Sequence, residues 1–290
     1  MEIRNHLGQT EKEFLENYKV GDYERPSNTV DIVLFRMENE EEKVIRKAPT
    51  TKMKILLIKR KDHPFIGQLA LPGGFCNKNE DMEMSARREL LEETSVSNCY
   101  MEEIKSYSTP NRDPRTWVVS HSFLALLPPE SAYTKAGDDA EESMWYEIRK
   151  TIDKNNNIII ELYNEENGDY VRATQKPIQV QNGKIMVKTH SKPQYETTLH
   201  CAFDHIEIIA DALKRFEERI ENVSFLEAFL PKEFTLQTMQ NAMESILGKS
   251  LVKQNFRKKV LPYLEDIGIK EQHNGYRPAS LYHFKEREDQ

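Results

Sequence analysis

This 290-residue chain has few cysteines, no long apolar run and no net positive charge. Its cysteines, Cys76, Cys99 and Cys201, are odd in number and far apart, which predicts neither a disulfide framework nor a metal cluster. No apolar run approaches the ~18 residues that cross a bilayer, and the polar N-terminus lacks a signal-peptide core. We therefore expect a cytoplasmic protein with no membrane partner.

The net charge of −7 is unevenly distributed. Residues 1–223 hold 31 basic and 39 acidic residues, whereas residues 224–290 hold 10 and 9. An acidic chain offers no general attraction for nucleic acid. Any case for nucleic-acid binding must therefore depend on a local basic patch.

The most informative segment runs from Gly74 to Val96 and reads GFCNKNEDMEMSARRELLEETSV. Glu89, Glu92 and Glu93 stand at i, i+3 and i+4, so a helix projects their carboxylates from one face. Three carboxylates held so closely repel one another unless a cation sits among them, and hard oxygen ligands suit Mg²⁺ or Mn²⁺. The simpler alternative is a solvated, glutamate-rich helix face.

This segment resembles the Nudix box, G-x5-E-x7-R-E-U-x-E-E-x-G-U, in which U is a bulky aliphatic residue. One position departs, because Ser95 stands where the box has its second glycine. That glycine normally follows the helix C-terminus in a left-handed conformation, so a serine costs roughly 1 kcal/mol there without removing a metal ligand. The positions that match are Gly74, Glu80, Arg88, Glu89, Leu90, Glu92, Glu93 and Val96.

The resemblance implies Mg²⁺-dependent hydrolysis of a nucleoside diphosphate linked to a second moiety, with ADP-ribose as the leading substrate. Glu89, Glu92 and Glu93 would hold the metal, and Arg88 would fix them by pairing with Glu92 or Glu80.

Substrate-binding candidates precede and follow this helix. Gly73 and Gly74 allow a tight turn whose amides face the diphosphate. Arg60, Arg112 and Arg115 are candidates to grip phosphate, with surface or structural ion pairs as the alternative. His63, His121 and His205 show no ligand spacing, and His205 is expected to be structural.

The order of the predicted elements favours an α/β fold, a mixed-sheet α/β/α sandwich in residues 1–223, as the Nudix resemblance also implies. Strands are expected at 29–37, 53–60, 104–107 and 118–127, around a catalytic helix at roughly 82–94. Residues 38–52 look like a hairpin loop. A β-rich insertion at about 151–200 and an amphipathic linking helix at about 201–222 complete this domain.

Residues 224–290 read as a small winged helix-turn-helix domain. Thr235 caps a helix that Gly248 ends, and a second helix is expected over 249–264. This second helix contains no acidic residue, and a hairpin wing follows it. The residues expected to contact phosphates and base edges are Lys253, Gln254, Asn255, Arg257, Lys258 and, in the wing, Arg277. The alternative is a basic helix in a dimerisation lobe.

The segments FLPKEFTLQTMQNAMESILGKSLVKQNFRKKVL, YRPASLYHF and AFDHIEII resemble the Nudix-related transcriptional regulators of NAD metabolism. That family is dimeric, senses ADP-ribose or a related metabolite and represses operons. Many of its members have damaged Nudix boxes, but this chain keeps the metal-binding glutamates, which points to retained ADP-ribose pyrophosphatase activity. Three interpretations stay open: an enzyme, a non-catalytic sensor and repressor, and a housecleaning hydrolase whose winged helix only dimerises.

Overall fold

The computed structural model describes residues 2–39, 51–129, 143–220, 223–271 and 278–285. Its α-helices are α1 (Glu11–Asn17), α2 (Met82–Thr94), α3 (His205–Arg219), α4 (Val223–Glu227), α5 (Leu236–Leu247) and α6 (Lys253–Val260). Its strands are β1 (Ser27–Asn39), β2 (Thr51–Lys59), β3 (Leu69–Ala70), β4 (Tyr100–Tyr107), β5 (Val118–Leu127), β6 (Ser143–Ile152), β7 (Ile158–Tyr163), β8 (Tyr170–Gln175), β9 (Pro177–Asn182), β10 (Ile185–His190), β11 (Gln194–Tyr195), β12 (Phe234–Thr235), β13 (Leu264–Glu271) and β14 (Ala279–Phe284). None of these helices is long and apolar enough to cross a membrane.

A mixed sheet with the order β11-β8-β7-β6-β2-β1-β5-β4 forms the centre of the molecule, and β3 pairs with β2. Strands β1 and β5 run parallel, and the other pairs in this sheet are antiparallel. Val30 and Ile32 of β1 pack on the α2 side, whereas Val33 and Phe35 join the core on the α3 side. Because both faces of β1 are buried, its sequence is an almost continuous apolar run. The predicted mixed α/β sandwich is confirmed.

Helix α2 forms where the Nudix-like segment predicts it. The Asp81 carboxylate caps the helix by accepting the Met84 amide at 2.8 Å, and Ala86 and Leu90 are buried against the sheet. The helix ends at Ser95, whose φ of +59° is left-handed. The serine therefore keeps the conformation of the expected glycine, at a cost of roughly 1 kcal/mol.

The segment predicted as an insertion is β-rich, but part of it belongs to the central sheet. Strands β7 and β8 extend that sheet beyond β6, and β11 pairs with β8 as the edge strand. Only β9 and β10 form a separate hairpin, which turns at Asn182-Gly183 as the sequence predicts. The hairpin loop predicted for 38–52 falls largely on residues 40–50, outside the described residues.

The C-terminal residues form a winged helix, with one correction to the predicted boundaries. Thr235 caps α5, and a left-handed Gly248 ends it, as expected. The second helix is shorter than the predicted 249–264, because the Glu244 carboxylate accepts the Leu251 amide at 2.7 Å and holds the preceding residues in a loop. At its other end the chain leaves α6 through a 3-10 turn and enters β13, and β12 adds a third strand to the wing.

The winged helix shares a core with the central sheet. Helix α5 packs against β2 and α3. Its buried Met239, Met243 and Ile246 belong to the same apolar cluster as Ile55 of β2 and Phe216 of α3. Burial of such side chains stabilises the contact by roughly 1.5–3 kcal/mol each. The two parts of the chain are therefore joined by packing as well as by the covalent link.

Candidate functional site

The site lies where the turn after β3 meets α2. Gly73 and Gly74 form this turn, which we call the Gly-Gly turn, and the Gly73 amide donates to Glu93 Oε2 at 2.7 Å. A Cβ atom at Gly73 would lie 2.0 Å from the Val30 carbonyl oxygen, and one at Gly74 would lie 2.5 Å from Glu89 Oε1. Gly73 therefore requires glycine, because the clash is with the backbone of β1, whereas a side chain at Gly74 would push the Glu89 carboxylate away from the turn.

Arg88 holds the carboxylates of α2 in place. Its Nε donates to Glu80 Oε1 at 2.9 Å, and its Nη1 donates to Glu89 Oε1 at 2.7 Å and to Glu92 Oε2 at 3.1 Å. Its Nη2 donates to the Phe75 carbonyl oxygen at 3.1 Å. Hydrogen bonds from Arg88 lower the pKa of Glu80 to about 2. Both pairings expected of Arg88, with Glu80 and with Glu92, are present.

The three glutamates fit a hard divalent cation in donor chemistry, since each offers carboxylate oxygens from one helix face. Glu89 and Glu93 both reach the Gly-Gly turn, and Glu92 is more exposed. The described residues contain no group of three or more His, Cys, Asp or Glu side chains already arranged as a metal site. Glu89 and Glu92 accept hydrogen bonds from Arg88, and Glu93 accepts one from the Gly73 amide. These contacts would orient the three carboxylates around a cation.

A cavity of about 200 Å³ lies beside the Gly-Gly turn and is flanked by cations and aromatic rings. The guanidinium carbon of Arg60 lies 5.1 Å from the centroid of the Phe203 ring. Arg115 lies 5.5 Å from the Phe75 ring and 5.8 Å from the Phe203 ring, and it also pairs with Asp113. Burial lowers the pKa of Arg60. Two cations beside ring faces suit a ligand with both phosphates and a planar base.

Arg112 also lines this cavity, but its charge is balanced. Its side chain is only 5% exposed and forms a bidentate pair with Asp204 at 2.5 and 2.9 Å. The Nη2 atom of Arg112 also lies 3.4 Å from Asp31 Oδ2. The geometry thus favours the structural ion pair, the alternative to a direct phosphate grip, and it anchors the loop that presents Arg115.

His205, the first residue of α3, connects this helix to the segment that precedes the Gly-Gly turn. Its Nδ1 accepts the Leu71 amide at 2.9 Å, and its Nε2 lies 3.4 Å from Asp31 Oδ1. The Ser120 hydroxyl donates to the same Asp31 carboxylate. Burial lowers the pKa of His205, which favours the neutral ring that an Nδ1 acceptor requires. The structural role expected for His205 agrees with these contacts.

The winged helix presents a basic surface on α6. Phe256 and Val260 are buried, and the side chains between and before them are exposed. Lys253 and Arg257 line a cleft that also contains the start of α5 and Ser280 of β14. The exposed residues include the predicted DNA contacts Lys253, Gln254, Asn255, Arg257 and Lys258. Arg277, the predicted wing contact, lies outside the described residues.

Comparison with known proteins decides the family. The family model for the NUDIX domain matches residues 28–164, and the model for the NrtR DNA-binding winged helix domain matches residues 216–284. The crystal structure of a MutT/nudix family protein from Enterococcus faecalis is 31% identical in sequence, with a TM-score of 0.67. The match covers 96% of this chain and 94% of that one. The chain belongs to the Nudix family.

Two curated proteins add detail to this assignment. The chain is 27% identical to the ADPR responsive transcriptional repressor NtrR of Acinetobacter baylyi, over 95% of its own length and 88% of that protein. It is 44% identical over 95 residues to the ADP-ribose pyrophosphatase of Methanocaldococcus jannaschii, which covers 33% of this chain and 55% of that enzyme. The similarity to the first relative therefore extends over both domains, and the similarity to the second over one part.

Three residues that line the cavity beside the Gly-Gly turn, called the Nudix pocket below, were not singled out as binding residues by sequence reasoning. Asp31 lies in an apolar strand, Phe203 precedes α3, and His205 lacks any ligand spacing. The one local signal was a charged residue inside the buried run of β1, because such a residue is rarely buried without a partner. Phe203 has a φ of +51°, an uncommon conformation for a bulky side chain, but this is visible only in the structure.

Proposed function

We propose that this protein is an ADP-ribose-responsive transcriptional regulator whose Nudix domain also hydrolyses ADP-ribose with Mg²⁺ or Mn²⁺. One observation carries the proposal: a single chain joins a complete set of Nudix-box glutamates to an exposed basic helix in a winged helix of the NrtR type. ADP-ribose is proposed as the ligand because one similar protein is named as an ADP-ribose-responsive repressor and another as an ADP-ribose pyrophosphatase.

Hydrolysis would use two arginines, the Gly-Gly turn and the carboxylates of α2. Arg60 and Arg115 neutralise the diphosphate, and the amides of the Gly-Gly turn orient it. Arg88 keeps Glu89 and Glu92 side by side, so the helix face is assembled before any cation arrives. A divalent cation held by Glu89, Glu92 and Glu93 would offset the anionic charge of the diphosphate and acidify a bound water. The products are AMP and ribose 5-phosphate.

DNA binding would use α6 as the recognition helix. Lys253, Arg257 and Lys258 are placed to contact phosphates, whereas Gln254 and Asn255 are placed to contact base edges. Because the surface is local, the acidic charge of the whole chain does not oppose this proposal.

Two assays on the purified protein separate the three interpretations. We expect AMP release from ADP-ribose with Mg²⁺, together with a gel shift on the DNA upstream of its own gene. A gel shift without AMP release would identify the alternative, a non-catalytic ADP-ribose-sensing repressor of NAD or sugar metabolism. AMP release without any gel shift at low salt would leave a hydrolase whose winged helix serves dimerisation.

Lys253→Ala and Arg257→Ala should each weaken DNA binding and flatten its salt dependence. A lost phosphate contact lowers the slope of log K against log salt by roughly 0.9, while hydrolysis of ADP-ribose should be unchanged. Fluorescence anisotropy of labelled upstream DNA at several salt concentrations measures both quantities. Lys12→Ala on α1 is the matched control, since it removes an exposed charge outside both α3 and the residues that match the winged helix domain. An equal loss in this control would contradict the assigned surface.

We expect the protein to be a homodimer in solution. Winged-helix repressors commonly read two half-sites related by a two-fold axis, which requires two copies of the recognition helix. Light scattering at micromolar concentration should give twice the chain mass of 34.0 kDa. A mass of one chain under these conditions would count against the dimer.

A further inference from the structure

Helix α3 belongs to both halves of the molecule. Its first residue, His205, lines the cavity beside the Gly-Gly turn. Its last turn lies inside the match to the winged helix domain, which begins at residue 216. The 15 residues of this helix span about 22 Å at 1.5 Å per residue. One rigid element therefore runs from the pocket into the DNA-binding domain.

The pocket end of α3 is tied to the segment that leads into the Gly-Gly turn. Besides the bond from the Leu71 amide to His205 Nδ1, the Ala202 amide donates to the Leu69 carbonyl oxygen at 2.7 Å. The Leu69 amide in turn donates to the His200 carbonyl oxygen at 3.1 Å. A displacement of the turn must therefore move the start of α3 or break these bonds.

The other end of α3 is packed into the winged helix. The Phe216 ring lies 5.2 Å from the Phe225 ring of α4 and 4.8 Å from the Phe229 ring, both edge-on. Phe216 is fully buried, so it has no room to move independently of these neighbours. Helix α3 also contacts α5, which itself contacts α6.

The Gly73 amide is the group of the Gly-Gly turn that is closest to the proposed metal-binding carboxylates in its bonding. It donates to Glu93, one of the carboxylates that would hold a cation. A diphosphate that accepts from this amide, or a cation that binds Glu93, would alter that bond, and Leu71 lies two residues before Gly73 in the chain. The backbone on both sides of Gly73 is held by β1, because the Ile32 amide donates to the Pro72 carbonyl oxygen at 2.8 Å and the Val30 amide donates to the Gly74 carbonyl oxygen at 2.9 Å.

We propose that His205 is a positioning residue that couples ligand binding at the Gly-Gly turn to the winged helix. The coupling runs through its hydrogen bond with the Leu71 amide and through α3. The inference rests on the proposed function, since it names the route by which ADP-ribose controls DNA affinity. A ligand can exert such control only if it binds two arrangements of the chain unequally. Here the two arrangements differ in the position of α3 relative to the turn.

The test compares two substitutions at one position. His205→Leu replaces the ring with an apolar side chain of similar size, and so removes both the acceptor for the Leu71 amide and the contact with Asp31. His205→Asn keeps an acceptor at the place of Nδ1 and loses the contact with Asp31. For wild type and both variants, the dissociation constant for upstream DNA is measured with and without α,β-methylene ADP-ribose, at saturation for each protein. The readout is the dissociation constant with the analogue divided by the constant without it. This ratio does not depend on turnover.

In wild type the ratio is expected in the range of about 5 to 150. We expect His205→Leu to reduce it to below about 2-fold, and His205→Asn to keep most of it. A ratio as large as that of wild type in His205→Leu would overturn the route through the Leu71 amide. A ratio near one in both variants, with the fold intact, would overturn it as well. A wild-type ratio of one is a different failure, because it removes the proposed regulation itself and the inference with it.

A second measurement needs no substitution and covers the case in which His205→Leu does not fold. Amide hydrogen exchange of the wild-type protein is followed with and without α,β-methylene ADP-ribose. We expect the ligand to change protection at Leu71 and along residues 205–219. Unchanged exchange in α3, in a protein whose DNA affinity does respond to the ligand, would overturn the proposal.

Discussion

Glu92→Gln and Glu93→Gln should each lower the rate of metal-dependent ADP-ribose hydrolysis by about three orders of magnitude. A bound divalent cation contributes several kcal/mol to such a reaction, and each 1.4 kcal/mol is about tenfold in rate. The fold should survive both changes. Glu92 is 57% exposed and bonds Arg88, while a glutamine at 93 can still accept the Gly73 amide through its Oε1. AMP release under saturating Mg²⁺ measures the effect, and thermal unfolding checks the fold.

Glu83→Gln is the matched control for these two variants. Glu83 lies on the same helix, is exposed and pairs with Arg87 rather than with Arg88. We expect its turnover to equal that of wild type. Turnover at the wild-type rate in both Glu92→Gln and Glu93→Gln would show that these carboxylates do not form the active site.

Gly73→Ala is expected to destabilise the protein by about 2–4 kcal/mol and to abolish hydrolysis. The added Cβ would lie 2.0 Å from the Val30 carbonyl oxygen, on a backbone whose φ of +154° disfavours any side chain. Overpacking against backbone and a strained conformation each cost about 1–3 kcal/mol. The turn can relieve the contact only by leaving β1, which breaks the alignment of its amides with Glu93. Urea unfolding and AMP release measure the two effects.

Gly67→Ala separates steric overlap from backbone strain. Gly67 also has a positive φ, +78°, but a Cβ there meets nothing within 4 Å. This variant should lose only about 1 kcal/mol and keep its activity. A loss of stability as small in Gly73→Ala as in Gly67→Ala would mean that the turn does not lie against β1 as described.

The local pattern of the sequence predicts α2, its end at Ser95 and the pairings of Arg88. These features depend on spacing within one helix and on capping, both of which are properties of adjacent residues. The limits of α5 follow in the same way from Thr235 and Gly248. The shorter α6 was missed, since its start depends on the bond from the Leu251 amide to Glu244, a contact between two elements.

The rest of the pocket could not be read from spacing. Arg112 is paired with Asp204, 92 positions further along the chain, and His205 reaches Leu71 across 134 positions. Such pairs form only when the sheet brings distant segments together. For the same reason, the strands at 158–163 and 170–175 looked like an insertion, although they pair with the central sheet.

The most direct test of the central claim is the binding isotherm of the wild-type protein on its upstream DNA, with and without saturating α,β-methylene ADP-ribose. Linkage requires that a ligand which weakens DNA binding is itself bound more weakly in the presence of DNA, by the same factor. We predict that the analogue raises the dissociation constant for DNA by about 5- to 150-fold, and that excess DNA raises the dissociation constant for the analogue equally. AMP, which lacks the diphosphate, should have little effect at the same concentration. An isotherm that the analogue leaves in place would contradict the proposed coupling between the Nudix pocket and the winged helix.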